Sequence, residues 1–183
     1  MNRISIPAAD QTPAATLPQL DAVHKQLGVV PNLMKLIGNS PAALQGYLSL
    51  NGALAKGALG AKTGERIALA IAEFNACGYC LSAHSYLGKN VAKLSDAEIA
   101  ANRLGTSTDA KAAAAVHFAR RVTQERGHVS DADIQAVKTA GYGNAEIIEM
   151  VLHVALNILT NYVNEVAQTE IDFPVVSPQR EAA

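Results

Sequence analysis

Large rings are scarce in this chain: tryptophan is absent and aromatic residues make up only 4% of the 183 residues, although hydrophobic residues reach 49%. Much of that apolar content is alanine, so the core has to come from helices that approach closely, and an all-α fold is favoured over a sheet. An excess of one charge is also missing. The 15 basic and 16 acidic residues are interspersed and leave a formal net charge of -1, which supplies no electrostatic footprint for nucleic acid or an anionic membrane. No run reaches the roughly 18 unbroken apolar residues of a membrane span. The opening residues Met1-Asn2-Arg3-Ile4-Ser5-Ile6-Pro7 contain no apolar leader region. A cytoplasmic protein without nucleic-acid or membrane partners is expected. Cysteine is nearly absent as well: the chain has two, and in a reducing compartment these rest as thiols unless chemistry cycles them.

What is present is a succession of helix signals. The length suits one domain over residues 1–183, divided into an extended arm (1–16), a helical core (17–170) and an extended tail (171–183), with both arms expected to lie on a neighbouring surface or a partner. A short amphipathic stretch from Pro18 to Leu27 is ended by Gly28, and Pro31 opens another turn of helix through Ile37. Ser40-Pro41 starts a helix to about Lys56, with Leu44, Tyr47, Leu48 and Leu54 on its apolar face. Thr63 reads as the cap of the next helix, which should falter between Asn75 and Gly78, and a fresh helix from Cys77 or Gly78 reaches about Lys89. Ser95-Asp96-Ala97-Glu98 reads as a capping box, and Ser107 or Thr108 caps a helix through Glu125. Ser130 opens another to Thr139, and the last helix runs from Ala145 to about Gln168. Nothing between these elements reads as a strand.

The chemistry is concentrated in Asn75-Ala76-Cys77-Gly78-Tyr79-Cys80-Leu81-Ser82-Ala83-His84. On a helix, Cys77 and Cys80 at i and i+3 share one face, and His84, four residues after Cys80, stands on the same side. A helix beginning at Gly78 puts both sulfurs at its first turn, where free N–H groups and the dipole stabilise a thiolate. This pattern favours reversible dithiol and disulfide chemistry. A structural zinc site needs four ligands, and here only two cysteines and one well-placed histidine are in reach. Iron–sulfur ligation fails on the same count. Two cysteines that merely fill space in a core are the remaining plain reading.

The block from Thr63-Gly64-Glu65-Arg66 to His84 resembles the core motif of the AhpD-like alkylhydroperoxidases, within the carboxymuconolactone decarboxylase family. The resemblance rests on Glu65 twelve residues before Cys77, on the Asn-x-Cys-x-x-Cys run and on His84. It implies an AhpD-like multi-helix bundle and a peroxidase in which Cys80 attacks the peroxide, Cys77 resolves it, and Glu65 and His84 relay protons. It further implies a hydroperoxide substrate, an external dithiol reductant such as a lipoyl domain or a thioredoxin-like protein, and a homo-oligomer, trimer or hexamer. No cofactor or metal is expected. Tyr79 occupies a position where the best-studied members carry a second histidine, so one auxiliary proton carrier is missing. The decarboxylase branch typically lacks the cysteine pair, which argues against lactone decarboxylation. A disulfide-switched sensor without turnover is the alternative of a different class.

Thioredoxin-type logic makes Cys77, nearer the helix end, the acidic thiol, whereas His84 at i+4 favours Cys80. On a single straight helix Glu65 would lie about 22 Å from Cys80, so the chain has to break near Asn75 or fold back. Glu73 is nearer in sequence and either faces solvent or supports Glu65. Glu149, His153, Asn157, Asn161 and Glu165 recur every four residues along the last helix, as a solvated stripe, a buried polar seam or a wall of the redox pocket. His24, His117 and His128 are expected at the surface.

Overall fold

The computed structural model describes residues 3–179, and all regular secondary structure among them is helical. A 3₁₀ turn at Ala14–Thr16 leads into α1 (Leu17–Leu27), α2 (Asn32–Ile37), α3 (Pro41–Leu54) and α4 (Ala61–Phe74). Then follow α5 (Gly78–Asn90), α6 (Asp96–Arg103), α7 (Ala110–Gln124), α8 (Asp131–Thr139) and α9 (Asn144–Ala167).

The bundle is organised around α4, which packs against α5, α6, α7 and α9. Every residue from Ile67 to Ala72 is buried. Ala68, Ala70 and Ala72 present only a methyl group there, so neighbouring helices close in without the bulky rings that the composition lacks. One apolar cluster joins Ile67 and Ile71 of α4 to Phe118 and Val122 of α7 and to Met150 and Val154 of α9. A second gathers Leu33, Met34 and Ile37 of α2, Leu44 of α3 and Leu81 of α5, and both cysteines lie inside it.

Several helix starts follow the sequence, because the capping oxygens are where the backbone needs them. Ser40, Ser95 and Ser130 each accept from the amide three residues on. Others differ by a turn or less. The α4 cap is Gly60 rather than Thr63, at φ 80, a dihedral suited to glycine. The α7 cap is Asp109, whose side chain accepts from the Ala112 amide, rather than Ser107 or Thr108. At α6 the capping box is only half formed. Ser95 accepts from Glu98 N, but the Glu98 carboxylate turns inward to Arg66, Asn102, Ser107 and Thr108.

The arms lie on the chain itself. Arg3 N donates to the Ala167 carbonyl, and Asn39 Nδ2 to Ser5 O. The tail crosses α5: Val176 N donates to Ser82 Oγ, Arg103 Nη2 to Ser177 O, and Gln179 N to Glu73 Oε1. Positions 1, 2 and 180–183 lie outside the described residues. By length and mean hydropathy, α9 would suffice to cross a membrane. It is interrupted by Glu149, His153 and Asn157, and Met150, Val154 and Leu156 pack it into the bundle.

Candidate active site

The break expected between α4 and α5 is where the site is made. Ala76 N donates to Glu73 O and Cys77 N to Ala72 O, the paired bonds of a helix ending through a left-handed residue. That residue is Ala76, at φ 52, so neither Asn75 nor Gly78 supplies the positive dihedral; Gly78 is instead the first residue of α5. Cys77 is extended and caps α5, its Sγ accepting from Cys80 N at 3.4 Å. The chain therefore turns back within three residues, and α5 packs along α4. The reversal brings His84 Nδ1 to 2.9 Å from Glu65 Oε2. The 22 Å separation of a straight helix does not arise.

Both thiols are free and buried. The Cys77 thiol hydrogen-bonds to Cys80 and is the largest influence lowering the Cys80 thiol, with burial opposing it and the His84 charge and the Asn164 amide reinforcing it. Together they bring Cys80 down to about 7. Asn164 Nδ2 donates to Cys80 Sγ at 3.3 Å. Cys77 is pushed up, first by serving as donor to Cys80 and then by burial. Burial opposes the charged form of His84, but Glu65, by attraction and hydrogen bonding, and the Cys80 thiolate hold the imidazole above its ordinary value. Cys77 is thus hydrogen-bonded to Cys80 and His84 to Glu65, and the two pairs are coupled by the charge interaction between Cys80 and His84.

The site opens into a cavity of about 300 Å³ whose lining includes Leu33, Met34, Leu54, Leu87, Leu156 and Phe173. Cys80, His84 and Glu65 contribute to the wall, and so do Tyr79, Tyr47 and His153. Tyr79 is braced: its hydroxyl donates to Asp172 Oδ1 at 2.8 Å and accepts from Leu33 N at 3.1 Å. Its ring meets Phe173 edge-on.

Glu73 is neither solvent-facing nor part of this site. It is buried and pairs with Arg103 Nε at 2.7 Å. Its place at the end of α4, one helical face away from Glu65, aims it at α6 and the tail. The polar residues of α9 form a seam rather than a solvated stripe, for Asn157, Asn161 and Asn164 are all buried. Asn75 Nδ2 donates to Asn161 Oδ1 and ties the chain reversal to α9. Glu149 is separate, accepting from Ala58 N and Leu59 N, while Glu165 is exposed. His24, His117 and His128 are exposed as expected.

Two residues of the site were not anticipated. Asn164 lies one turn beyond Asn161, and its spacing from Asn157 and Asn161 is the signal that would have found it. Tyr47 reads as part of an apolar helix face. It borders the cavity, and burial, followed by the charges of Cys80 and Glu65, keeps its hydroxyl protonated.

Residues 41–125 match the model of the carboxymuconolactone decarboxylase family. The matched segment is 85 of the 183 residues, and the fold is that of an AhpD-like helical bundle. The chain is similar in fold to an uncharacterized peroxidase-related protein with an alkylhydroperoxidase AhpD core from Ralstonia eutropha JMP134 (23% identity, 93% of this chain and 92% of that one, TM-score 0.82). An uncharacterized peroxidase-related protein from Silicibacter sp. TM1040 is similar at 22% identity, over 92% and 91% of the two chains, with TM-score 0.80. The debrominase Bmp8 in its apo form is similar at 18% identity, over 93% and 92%, with TM-score 0.76. No curated protein matches the chain.

Proposed function

We propose that this protein is a dithiol hydroperoxide reductase with Cys80 as the attacking thiol. The observation that supports it most is the pairing of a hydrogen-bonded Cys77–Cys80 couple, Cys80 the acidic sulfur, with the charge-coupled His84–Glu65 pair beside an apolar cavity. The Cys80 thiolate attacks the O–O bond of ROOH, giving Cys80 sulfenic acid and RO⁻, which takes the imidazolium proton and leaves as ROH. The Cys77 thiol then displaces water from the sulfenic acid to form the Cys77–Cys80 disulfide. An external dithiol reduces it and is itself oxidised. A lipoyl domain or a thioredoxin-like protein of the cytoplasm has the right chemistry for that last step. Glu65 accepts from His84 Nδ1, which leaves Nε2 as the lone-pair nitrogen of the neutral ring and fits a general base.

Coupled consumption of an organic hydroperoxide and a dithiol, measured on the wild type and on Cys80→Ser, tests this reading. Turnover abolished by the substitution supports it. Disulfide formation without turnover favours a redox sensor instead.

A second reading uses the same two electrons. The cavity is larger than a peroxide group needs, and Bmp8 also occurs in complex with 2,3,4-tribromopyrrole, at TM-score 0.77 and 18% identity. Reduction of an aryl bromide by the dithiol would give arene, bromide, a proton and the disulfide. Bromide release in place of peroxide loss distinguishes it. Self-association belongs to the first reading as well: an exposed, uncharged stripe on α9 offers a surface for a second copy, in a trimer or hexamer.

A further inference from the structure

Tyr47, Tyr79 and His153 line the cavity without belonging to the thiol site, and the His153 ring holds a buried nitrogen with no partner. His153 is presented by α9 across the first turns of α4. A Cβ on Gly64 would stand 2.7 Å from His153 Cε1 and 3.3 Å from each ring nitrogen, so the absence of a side chain at position 64 is what admits the ring. His153 Nε2 is shielded from solvent and has no hydrogen-bond partner. Burial is the main influence on this imidazole and, against the opposing charges of Glu149 and Glu65, holds it below its ordinary value, with His84 adding to the effect. The ring is therefore neutral near pH 7, with one N–H and one lone pair to offer. A buried polar atom left unpaired costs about 1–3 kcal/mol, and such atoms call for a specific explanation.

Building on the hydroperoxide-reductase reading, we infer that His153 is a specificity-determining residue that hydrogen-bonds to a neutral hydroxyl or carbonyl group on the carbon skeleton of an organic hydroperoxide. The wall around it selects the class. Leu54, Ala68 and Leu156 require a mainly apolar body, and the nearby carboxylates of Glu65 and Glu149 disfavour an anionic substituent. A plain alkyl hydroperoxide leaves Nε2 unpaired. A substrate carrying one neutral polar group beyond its peroxide satisfies it.

Binding without turnover provides the test. Cys80→Ser chains are titrated with two product alcohols, 2-phenyl-2-propanol and its para-hydroxymethyl analogue. The analogue is expected to bind about threefold to tenfold more tightly, the worth of one hydrogen bond, and to shift the His153 imidazole NMR signals, which the parent alcohol does not. Adding His153→Phe should erase that advantage while leaving the parent alcohol within about twofold. His153→Gln, which keeps an amide donor and acceptor, should retain part of it. Equal weakening of both ligands by His153→Phe, or imidazole signals indifferent to the analogue, would overturn the inference. Should the phenylalanine variant not fold, the NMR shifts and His153→Gln decide. A chain that distinguishes the two alcohols through His153 yet reduces no peroxide contradicts the proposed reaction and leaves the specificity role standing.

Discussion

Glu65 Oε2 lies 2.9 Å from His84 Nδ1 across a gap of nineteen residues. The contact exists because α4 ends through Ala76 in the left-handed region and α5 starts at once on the Cys77 cap. Glu65 and His84 therefore face each other from two packed helices. Glu65→Gln keeps the side-chain volume and removes the carboxylate that helps hold the imidazole up. General acid–base groups contribute about 10²- to 10⁴-fold, so peroxide turnover should fall at least tens of fold. The His84 titration, followed by NMR, should move down. A melting temperature close to wild type separates this from a fold defect, since Glu65 lies past the first turn of α4, where the helix dipole has largely faded.

The two thiols are predicted to titrate in opposite directions. Cys80 is held down to about 7 chiefly by the hydrogen bond from Cys77. The rate of peroxide consumption should therefore rise as pH increases through about 7, as the thiolate forms. Cys77→Ala removes the donor and should displace the rise toward the ordinary thiol range near 9, whereas Cys77→Ser retains an O–H donor and should keep most of the acidity. Thiolate absorbance against pH measures both.

Glu98 anchors the opposite side of α4. Burial alone would raise its carboxyl, but hydrogen bonds from Ser107, Thr108 and Asn102 outweigh it and bring it down to about 2. Its folded value is depressed from 4.5, so its contribution is fully present above pH 4.5 and is lost as pH falls from there through about 2. Glu98→Gln should lower the melting temperature clearly at pH 7 and much less near pH 2. Equal losses at both values would place its role in packing rather than charge.

Ile148, Leu152, Leu159, Tyr162 and Val166 of α9 are exposed, and with exposed Ala155 they follow one another at intervals of four and three. That spacing is the seam a second helix of the same kind packs into. Light scattering is expected to report a trimer or hexamer. Leu159→Glu should shift it toward smaller species with helix content preserved, and a wild-type monomer at micromolar concentration would contradict the expectation.

Much of this was legible in the sequence, for definite reasons. Helix starts marked by a side-chain cap, such as Ser40, Ser95 and Ser130, depend on local hydrogen bonds and are read locally. The starts at Gly60 and Asp109 were displaced because dihedral freedom at one and a competing acceptor at the other outweighed the nearer hydroxyls. Cys77, Cys80 and His84 share a helix, so their spacing alone placed them together. Glu65 required the reversal at Ala76, a residue with no sequence preference for that dihedral. Glu73 was misread because its partners, Arg103 and Gln179, come from distant segments. Asn164 was legible in its spacing from Asn157 and Asn161 although it was not read there, whereas Tyr47 borders the site only through tertiary packing, which no local pattern encodes.

The central claim is that Cys80 is the sulfur that takes the oxygen. Cys77→Ser, which cannot form the disulfide, is treated with one equivalent of an organic hydroperoxide and a sulfenate-trapping probe, then digested for mass spectrometry. The prediction is one probe per chain, on Cys80, with one equivalent of the alcohol released. Unlabelled Cys80 with the hydroperoxide intact, in chains whose helix content matches wild type, would contradict it.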